Sequence, residues 1–253
     1  MQRKQLTVFF SMLIVFAICA FLSYAFFMQQ LLAASGVTSL PPTTFSPVVL
    51  GLANAGIILV AYGLAGLAGY WFARKLGLPG IYSVDGNWRR WVLIPMGLGI
   101  VCGFFVILGD IVFAPINGFG PFVHPAFPSS ILATISAAIG EEIAFRVFVF
   151  GLWGFVLNWI LRRWNGRTAA LWIANVISAL IFAAGHLGLA FQLTHATSLA
   201  DINPIFLLEI FLLNGVVGVI AGWRYMKDGL VAASGVHLWT DIVWHVVWGL
   251  LPR

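Results

Sequence analysis

The sequence predicts an all-α fold, a polytopic transmembrane helix bundle of about seven spans with candidate catalytic residues on spans four, five and seven. The first observation behind this prediction is composition. Of the 253 residues, 61% are hydrophobic and only 8% are charged, whereas a soluble domain carries roughly a quarter charged residues. The second is the presence of seven long apolar stretches, and the third is the small set of ionisable residues that interrupts them.

Each apolar stretch is close to the roughly 20 residues that a helix needs to cross a bilayer. The stretches cover 6–28, 47–73, 91–113, 129–159, 169–189, 204–223 and 229–251. Only short, turn-rich segments lie between them, so 1–253 is predicted to be one membrane domain. Within it, 1–113 holds three spans and 129–251 holds four. The first stretch is too long for a typical signal peptide, so we expect it to be an uncleaved anchor.

The basic residues predict how the chain is oriented in the membrane. Eleven of the thirteen Lys and Arg residues lie before the first span or in the second, fourth and sixth loops: Arg3, Lys4, Arg74, Lys75, Arg89, Arg90, Arg162, Arg163, Arg167, Arg224 and Lys227. Because cytoplasmic loops are enriched in Lys and Arg, we expect a cytoplasmic amino terminus and an external carboxyl terminus. The expected location is the cell membrane of a prokaryote. Arg253 and Arg146 stand apart from this pattern.

The same charges argue against other classes of protein. The net charge is +5, but the basic residues are distributed between loops and do not form a stripe. We therefore expect no nucleic-acid partner and predict that the lipid bilayer surrounds the protein. Cys19 and Cys102 both lie in apolar runs without a CxxC spacing. They are predicted to be buried thiols, with neither a disulfide framework nor a cysteine metal site.

Ionisable side chains inside a span are rare, because each costs about 2.5–3.5 kcal/mol at mid-helix. They are therefore the first candidates for a functional site. The spans contain Asp110, Glu141, Glu142, Arg146, His186, Glu209, His237, Asp241 and His245.

The segment "AAIGEEIAFR" places two adjacent glutamates in the fourth span. Glu142 and Arg146 are four residues apart, so they share a helix face and can form an ion pair. Glu141 points about 100° away from that face and is the better candidate for chemistry. An ion-pair cluster of all three residues that only holds helices together is an equally good interpretation of this span alone.

Two further spans add histidines and a third carboxylate. "FAAGH" places His186 one turn after Phe182, and "HLWTD" places His237 and Asp241 on one helix face. These residues lie at depths that helix tilt can reconcile with that of Glu141. A convergent set of this kind indicates a site more often than a set of separate interhelical hydrogen bonds.

The chemistry that this set supports is activation of water. A carboxylate can act as general base, a histidine can orient the same water, and donors across a cavity can stabilise an oxyanion. No serine or cysteine lies in a recognisable nucleophile context, so covalent acyl transfer is not favoured. Two histidines and a carboxylate could instead hold zinc. The HExxH spacing is absent, however, so no metal and no cofactor are expected.

These residues carry a family resemblance. "EEIAFR" matches EExxxR, "FAAGH" matches FxxxH, and "DGLVAASGVHLWTD" matches a Gly-Leu…HxxxN/D segment. In order and on separate spans, they resemble the CPBP family of intramembrane glutamic proteases, also called the Abi family, with its type II CAAX prenyl endopeptidases and bacteriocin-processing homologues. The resemblance covers roughly 129–245.

The resemblance implies a role for each matching residue. Glu141 would activate water with help from His186, and Glu142 and Arg146 would support it. His237 and Asp241 would form the oxyanion-side pair. The chain departs from the prenyl endopeptidases in having Asp241 where they have asparagine, and seven predicted spans where they have eight. An aspartate donates to an oxyanion only when protonated.

The remaining polar residues are predicted to have structural roles. His245 lies one turn beyond Asp241 and is expected to hold it through a hydrogen bond. Asp110 and Glu209 are expected to line a cavity or to join helices. His124 and His195 are expected to be solvated in outer loops.

The leading functional hypothesis is a metal-free intramembrane endopeptidase that acts on a peptide or on the tail of a membrane-associated protein. One alternative is a catalytically silent partner, regulator or immunity protein of the same fold. A second is a zinc-dependent membrane protease. A third is a proton-coupled transporter, since buried acids and histidines also build proton relays, although the inverted repeat of many transporters is not evident.

Overall fold

The computed structural model describes residues 2–34 and 45–251. This part of the chain is helical, without strands, and contains seven helices long and apolar enough to cross a membrane. They are numbered here as spans one to seven: Gln2–Gln30, Pro47–Lys75, Arg89–Phe113, Ser129–Trp164, Arg167–Thr194, Pro204–Asp228 and Leu230–Leu250. The predicted fold class is confirmed.

The predicted span boundaries differ from the observed ones by a few residues. Most helices extend beyond the apolar stretches into polar and basic residues, because backbone hydrogen bonding continues into the flanking turns. Residues 35–44 of the predicted loop between spans one and two, and the carboxyl-terminal Arg253, lie outside the described residues. Cys19 and Cys102 are buried thiols, as predicted.

Several spans are not uniform α-helices. Span two is α-helical over Pro47–Ile57 and Gly63–Lys75, with a π-helical stretch at Ile58–Tyr62. Span three begins with π-helical Arg89–Leu93 and continues as α-helix Ile94–Phe113.

Spans four and seven change geometry next to the candidate site. Span four is α-helical over Ser129–Glu141 and π-helical over Glu142–Phe150, and then continues through Gly151–Leu161 to a 3₁₀ turn at Arg162–Trp164. Span seven is α-helical over Leu230–Asp241, π-helical over Ile242–Val247 and 3₁₀ over Trp248–Leu250. In both spans the π-helical stretch starts directly after a candidate acid, Glu141 or Asp241, and π-helical turns are frequent at functional sites.

Span five also bends at a candidate residue. Its main helix, Arg167–Gly185, ends just before His186, and a second helix continues over Leu187–Thr194. Span six is a single helix, Pro204–Asp228, preceded by a 3₁₀ turn at Leu199–Asp201.

Span four lies at the centre of the bundle, where it packs against spans one, two, five and seven. Its contact with span two is close, because Gly69 lies against the Val147 backbone and a Cβ there would overlap the carbonyl group. Between the candidate site and the basic loops, the core is filled by fully buried, largely apolar side chains: Ile143, Val147, Phe150, Tyr225 and Leu230. Span four is therefore fixed by its neighbours over much of its length.

The face that carries the basic loops is held together by polar contacts. Asp228, at the end of span six, is fully buried and pairs with both Arg90 and Arg224. The next residue, Gly229, has φ of +86° and lies against Ile81, a conformation that favours glycine. The turn from span six into span seven is thereby fixed on the loop that follows span two.

Candidate active site

The second glutamate of the pair is fully enclosed by protein. The side chains of Glu142 and Arg146 are both 0% exposed, and Glu142 Oε2 lies 3.3 Å from Arg146 Nε. The other carboxylate oxygen, Oε1, lies 3.0 Å from His237 Nδ1. A carboxylate accepts hydrogen bonds, so Nδ1–H of His237 donates to it. Glu142 thus joins span four to span seven in addition to forming the ion pair expected from the spacing.

The first glutamate faces a cavity. The side chain of Glu141 is 35% exposed and lines the space into which the candidate residues of spans four, five and seven project. Its Oε2 lies 3.9 Å from His237 Nε2. The two adjacent carboxylates therefore differ in surroundings: Glu142 has two partners within the core, whereas the side chain of Glu141 is partly exposed and lines the cavity.

His237 is the residue that connects the acids. Its Nδ1 is bound to Glu142, and its Nε2 lies 3.5 Å from Asp241 Oδ2 as well as near Glu141. A neutral ring with a proton on Nδ1 would turn a lone pair of Nε2 toward two carboxyl groups. Because the lone pair and the carboxylate oxygens are all hydrogen-bond acceptors, this arrangement is favourable only when a proton lies between Nε2 and one of these oxygens.

Phe182 packs against three of the polar residues. The guanidinium carbon of Arg146 lies 4.6 Å from its ring centroid, within the range of a cation–π interaction. The rings of His186 and His237 meet the same aromatic ring edge to face, with centroid distances of 5.0 Å and 5.6 Å. Phe182 therefore contacts Arg146 and both histidines and limits the positions that the histidine rings can adopt.

The tautomer of His186 is set by its own helix. Nδ1 lies 3.0 Å from the carbonyl oxygen of Phe182, which can only accept, so Nδ1 carries the proton. In the neutral ring, Nε2 then has a lone pair available to accept a hydrogen bond. His186 also lines the cavity, which makes Nε2 a candidate acceptor for water or substrate.

The cavity has a volume of about 180 Å³. Spans three to seven and the loop at 114–128 contribute to its wall. The candidate residues that line it are Glu141, Phe182, His186, His237, Asp241 and His245, and the other polar residues are Glu209, Asn214 and Thr240. The structure thus brings the predicted residues of three spans around one space, with Glu142 and Arg146 buried behind it.

The expected role of His245 is wrong. Among the described residues His245 forms no hydrogen bond with Asp241, and its Nδ1 lies 3.1 Å from Nδ1 of His124. His124 is half-buried in the loop at 114–128, so the expectation that it is solvated is also wrong, whereas His195 is exposed. The loop supplies a partner for His245 that helix periodicity could not predict.

The acids that match no motif anchor the same loop. Asn117 Nδ2 donates to Glu209 Oε2 at 2.7 Å, and the Phe122 amide donates to Asp110 Oδ1 at 3.1 Å. The expectation that these acids line a cavity or join helices is confirmed for Glu209, which lines the cavity, whereas Asp110 binds the loop. No spacing signal in the sequence points to Asn117, because its partner is 92 residues away.

A resident metal would need several donors at one point. In the two ranges that the structure describes, no group of three or more His, Cys, Asp or Glu residues is arranged to hold a metal ion. The imidazole of His237 lies between carboxyl groups, with a hydrogen bond from Nδ1 to Glu142 and with Asp241 Oδ2 at 3.5 Å from Nε2.

The fold and this cavity define an integral multi-pass membrane protein with a carboxylate–histidine centre inside the bundle. Residues 123–243 match the family model described as Rce1-like type II CAAX prenyl endopeptidase. The match covers just under half of the chain and agrees with the resemblance predicted from the motifs, which is thereby confirmed for this segment. The comparisons with curated proteins and with solved structures found no match.

Proposed function

We propose that the protein is a metal-free intramembrane glutamic endopeptidase of the CAAX type, in which Glu141 activates a water molecule to hydrolyse a peptide bond. The observation that carries the proposal is the difference between the two glutamates. Glu142 is occupied by Arg146 and His237, whereas Glu141 borders the cavity. A general base must reach the proton it removes, and only the first glutamate borders a space where substrate and water can meet.

In the proposed reaction, a water molecule donates one hydrogen bond to Glu141 and one to Nε2 of His186. Glu141 takes a proton as the water oxygen bonds to the peptide carbonyl carbon. The carbonyl oxygen becomes an oxyanion. When the intermediate collapses, the C–N bond breaks and the proton passes from Glu141 to the leaving nitrogen, which gives a carboxylic acid and an amine and restores the Glu141 carboxylate; the acid then ionises in water. No covalent bond to the protein is formed.

The oxyanion would be stabilised by His237 and Asp241. With Nδ1–H directed at Glu142, a doubly protonated His237 presents Nε2–H toward the cavity. Among the described residues, the three carboxyl groups of Glu141, Glu142 and Asp241 pair with two cationic side chains, Arg146 and protonated His237, so full ionisation leaves one excess negative charge. A proton on Asp241 removes this excess and makes its carboxyl group a donor, the property that asparagine has in the prenyl endopeptidases.

The substrate class that fits this site is a peptide or the tail of a membrane-associated protein. The wall combines aromatic and aliphatic side chains with a few polar groups, which is typical of sites that bind a largely apolar ligand and orient it by selected hydrogen bonds.

Purified protein in detergent, incubated with a peptide library, tests the proposed activity. Mass spectrometry should find cleaved peptides whose new carboxyl termini carry ¹⁸O when the reaction runs in labelled water. Hydroxylamine, which intercepts acyl-enzymes, should yield no hydroxamate products. Hydroxamate formation would contradict direct water attack, and the absence of any cleaved peptide would contradict the protease activity.

A further inference from the structure

The cavity that Glu141 lines has different surroundings at its two ends: the loop at 114–128 contributes to one end, and packed core side chains lie beyond the other. We infer that substrate reaches Glu141 from the face of the membrane that carries the loop at 114–128, opposite the face that carries the basic loops. This inference rests on the proposed endopeptidase function and adds the side of entry, and hence the location of the substrate.

The cavity extends to the 114–128 face. Phe122, from the loop itself, forms part of its wall. Phe206, in the first turn of span six, and Trp244, near the end of span seven, line it as well. The Phe122 ring lies 5.6 Å from that of Phe206 and 6.5 Å from that of Trp244. These three aromatic side chains lie near one another in the part of the cavity wall that the loop at 114–128 contributes to.

The opposite end is closed by packed side chains. Moving from Glu141 toward the basic loops, span four presents Ile143, Arg146, Val147 and Phe150, all fully buried. Tyr225 packs against Phe150 with ring centroids 5.4 Å apart and is also fully buried. A close-packed interior of this kind leaves no passage for a peptide.

The cavities at the basic face are separate from the site. One, of about 400 Å³, lies beside Gln5, Tyr70 and Arg74, and another, of about 320 Å³, lies between Arg167 and Lys227. Neither shares a lining residue with the cavity at Glu141. Substrate bound in either of them would still be separated from Glu141 by the packed core.

The outer half of the cavity also reaches the surface of the bundle. Leu189 lines the cavity and is 37% exposed. It belongs to the helix Leu187–Thr194, which follows the bend at His186. A side chain that is part of the wall and also exposed lies at an opening, and this opening is in the half that contains the loop at 114–128.

The loop is held at this position by three polar contacts, each to a different span. Asn117 binds Glu209 of span six, Phe122 binds Asp110 of span three, and His124 binds His245 of span seven. These contacts fix Phe122 over the cavity, so a substrate entering from this face passes beside or beneath the loop.

The side of entry has a consequence for the substrate. Loop 114–128 contains no Lys or Arg, and loops poor in these residues lie outside the cytoplasm. The substrate is therefore a peptide segment presented at the extracytoplasmic face or in the outer half of the bilayer. A prenylated tail confined to the cytoplasm would lie on the wrong side of the packed core.

Proteoliposomes test this inference with a membrane-impermeant peptide that the protein hydrolyses in detergent. Orientation is measured with an impermeant maleimide on two single substitutions at exposed positions, Val123→Cys on the 114–128 face and Val84→Cys on the basic face. Preparations with different orientations should hydrolyse external peptide in proportion to the fraction that exposes Val123→Cys. A rate that follows Val84→Cys, or equal rates from both faces, would overturn the inference.

Blocking the proposed mouth provides a second test. A bulky impermeant maleimide on Phe122→Cys should reduce hydrolysis at least tenfold, whereas the same reagent on Val84→Cys should not. Inhibition at Val84→Cys alone would overturn the side of entry. A protein that hydrolyses no peptide in detergent would instead count against the proposed function, so the two failures are distinguishable.

Discussion

The buried carboxylate of Glu142 has two partners, Arg146 and His237. It compensates the charge of Arg146 and fixes the Nδ1 proton of His237, and all three residues are buried. Removing one member of a buried ion pair leaves an uncompensated charge. This residue is therefore expected to act on stability first and on catalysis through the position of His237.

Replacing Glu142 or Arg146 with Gln is expected to destabilise the fold by roughly 3–5 kcal/mol. Both variants should melt at a lower temperature than the parent in the same detergent, as measured by differential scanning fluorimetry. Glu209→Gln is a suitable control for loss of a buried acid, since Glu209 has an Asn partner and, within residues 2–34 and 45–251, no ion pair. Unchanged melting of Arg146→Gln would argue against a structural role for the pair.

Phe182 is expected to be sensitive to the loss of its ring. Phe182→Ala removes a fully buried side chain and should cost about 3–5 kcal/mol, with additional loss of order at His186 and His237. Phe182→Leu keeps much of the volume but loses the cation–π contact with Arg146. It should therefore fold better than Phe182→Ala, a ranking that urea or thermal unfolding in detergent can measure.

At the scale of helices, the position of span four depends on small residues in span two. Gly69→Ala should destabilise by about 1–3 kcal/mol, because the added methyl group meets the Val147 backbone, which cannot move aside as a side chain can. Gly56→Ala in the same span is the matched control, since its Cβ would meet no atom of another described segment within 4 Å. Equal melting temperatures for the two variants would contradict the close approach of spans two and four.

The helices themselves could be predicted from the sequence, because length and apolar composition are strong local signals for a span. The Glu142–Arg146 pair could be predicted for a similar reason, since both residues lie on one helix. The bond from Glu142 to His237 spans 95 residues, and the contacts of the 114–128 loop are equally distant. Local periodicity carries no information about such tertiary partners. The predicted hydrogen bond between His245 and Asp241 was therefore wrong, and the bond from Asn117 to Glu209 was not predicted.

For the molecule as a whole, the charge distribution predicts orientation in the membrane. A reporter that is active only in the cytoplasm should give no signal when fused after residue 253, because the carboxyl terminus is expected outside. The same reporter inserted at Asn165, in a basic loop, should be active and serves as the control. A strong signal from the carboxyl-terminal fusion would contradict the predicted topology.

The proposed chemistry also predicts how the whole enzyme responds to chelators. Hydrolysis should continue in the presence of 1,10-phenanthroline, and elemental analysis should find no stoichiometric metal in the active preparation. Loss of activity that zinc restores would favour the alternative of a zinc-dependent protease.

The most direct test of the central claim compares Glu141→Gln with Glu142→Gln for both turnover and melting temperature. Removing a general base typically costs about 10²–10⁴ in rate, and Glu141 lies at the cavity, outside the buried ion pair. Glu141→Gln should therefore melt close to the parent, bind peptide and lose at least a hundredfold in turnover, while Glu142→Gln should melt early. A stable, inactive Glu142→Gln beside an unstable Glu141→Gln would show that the two roles are exchanged.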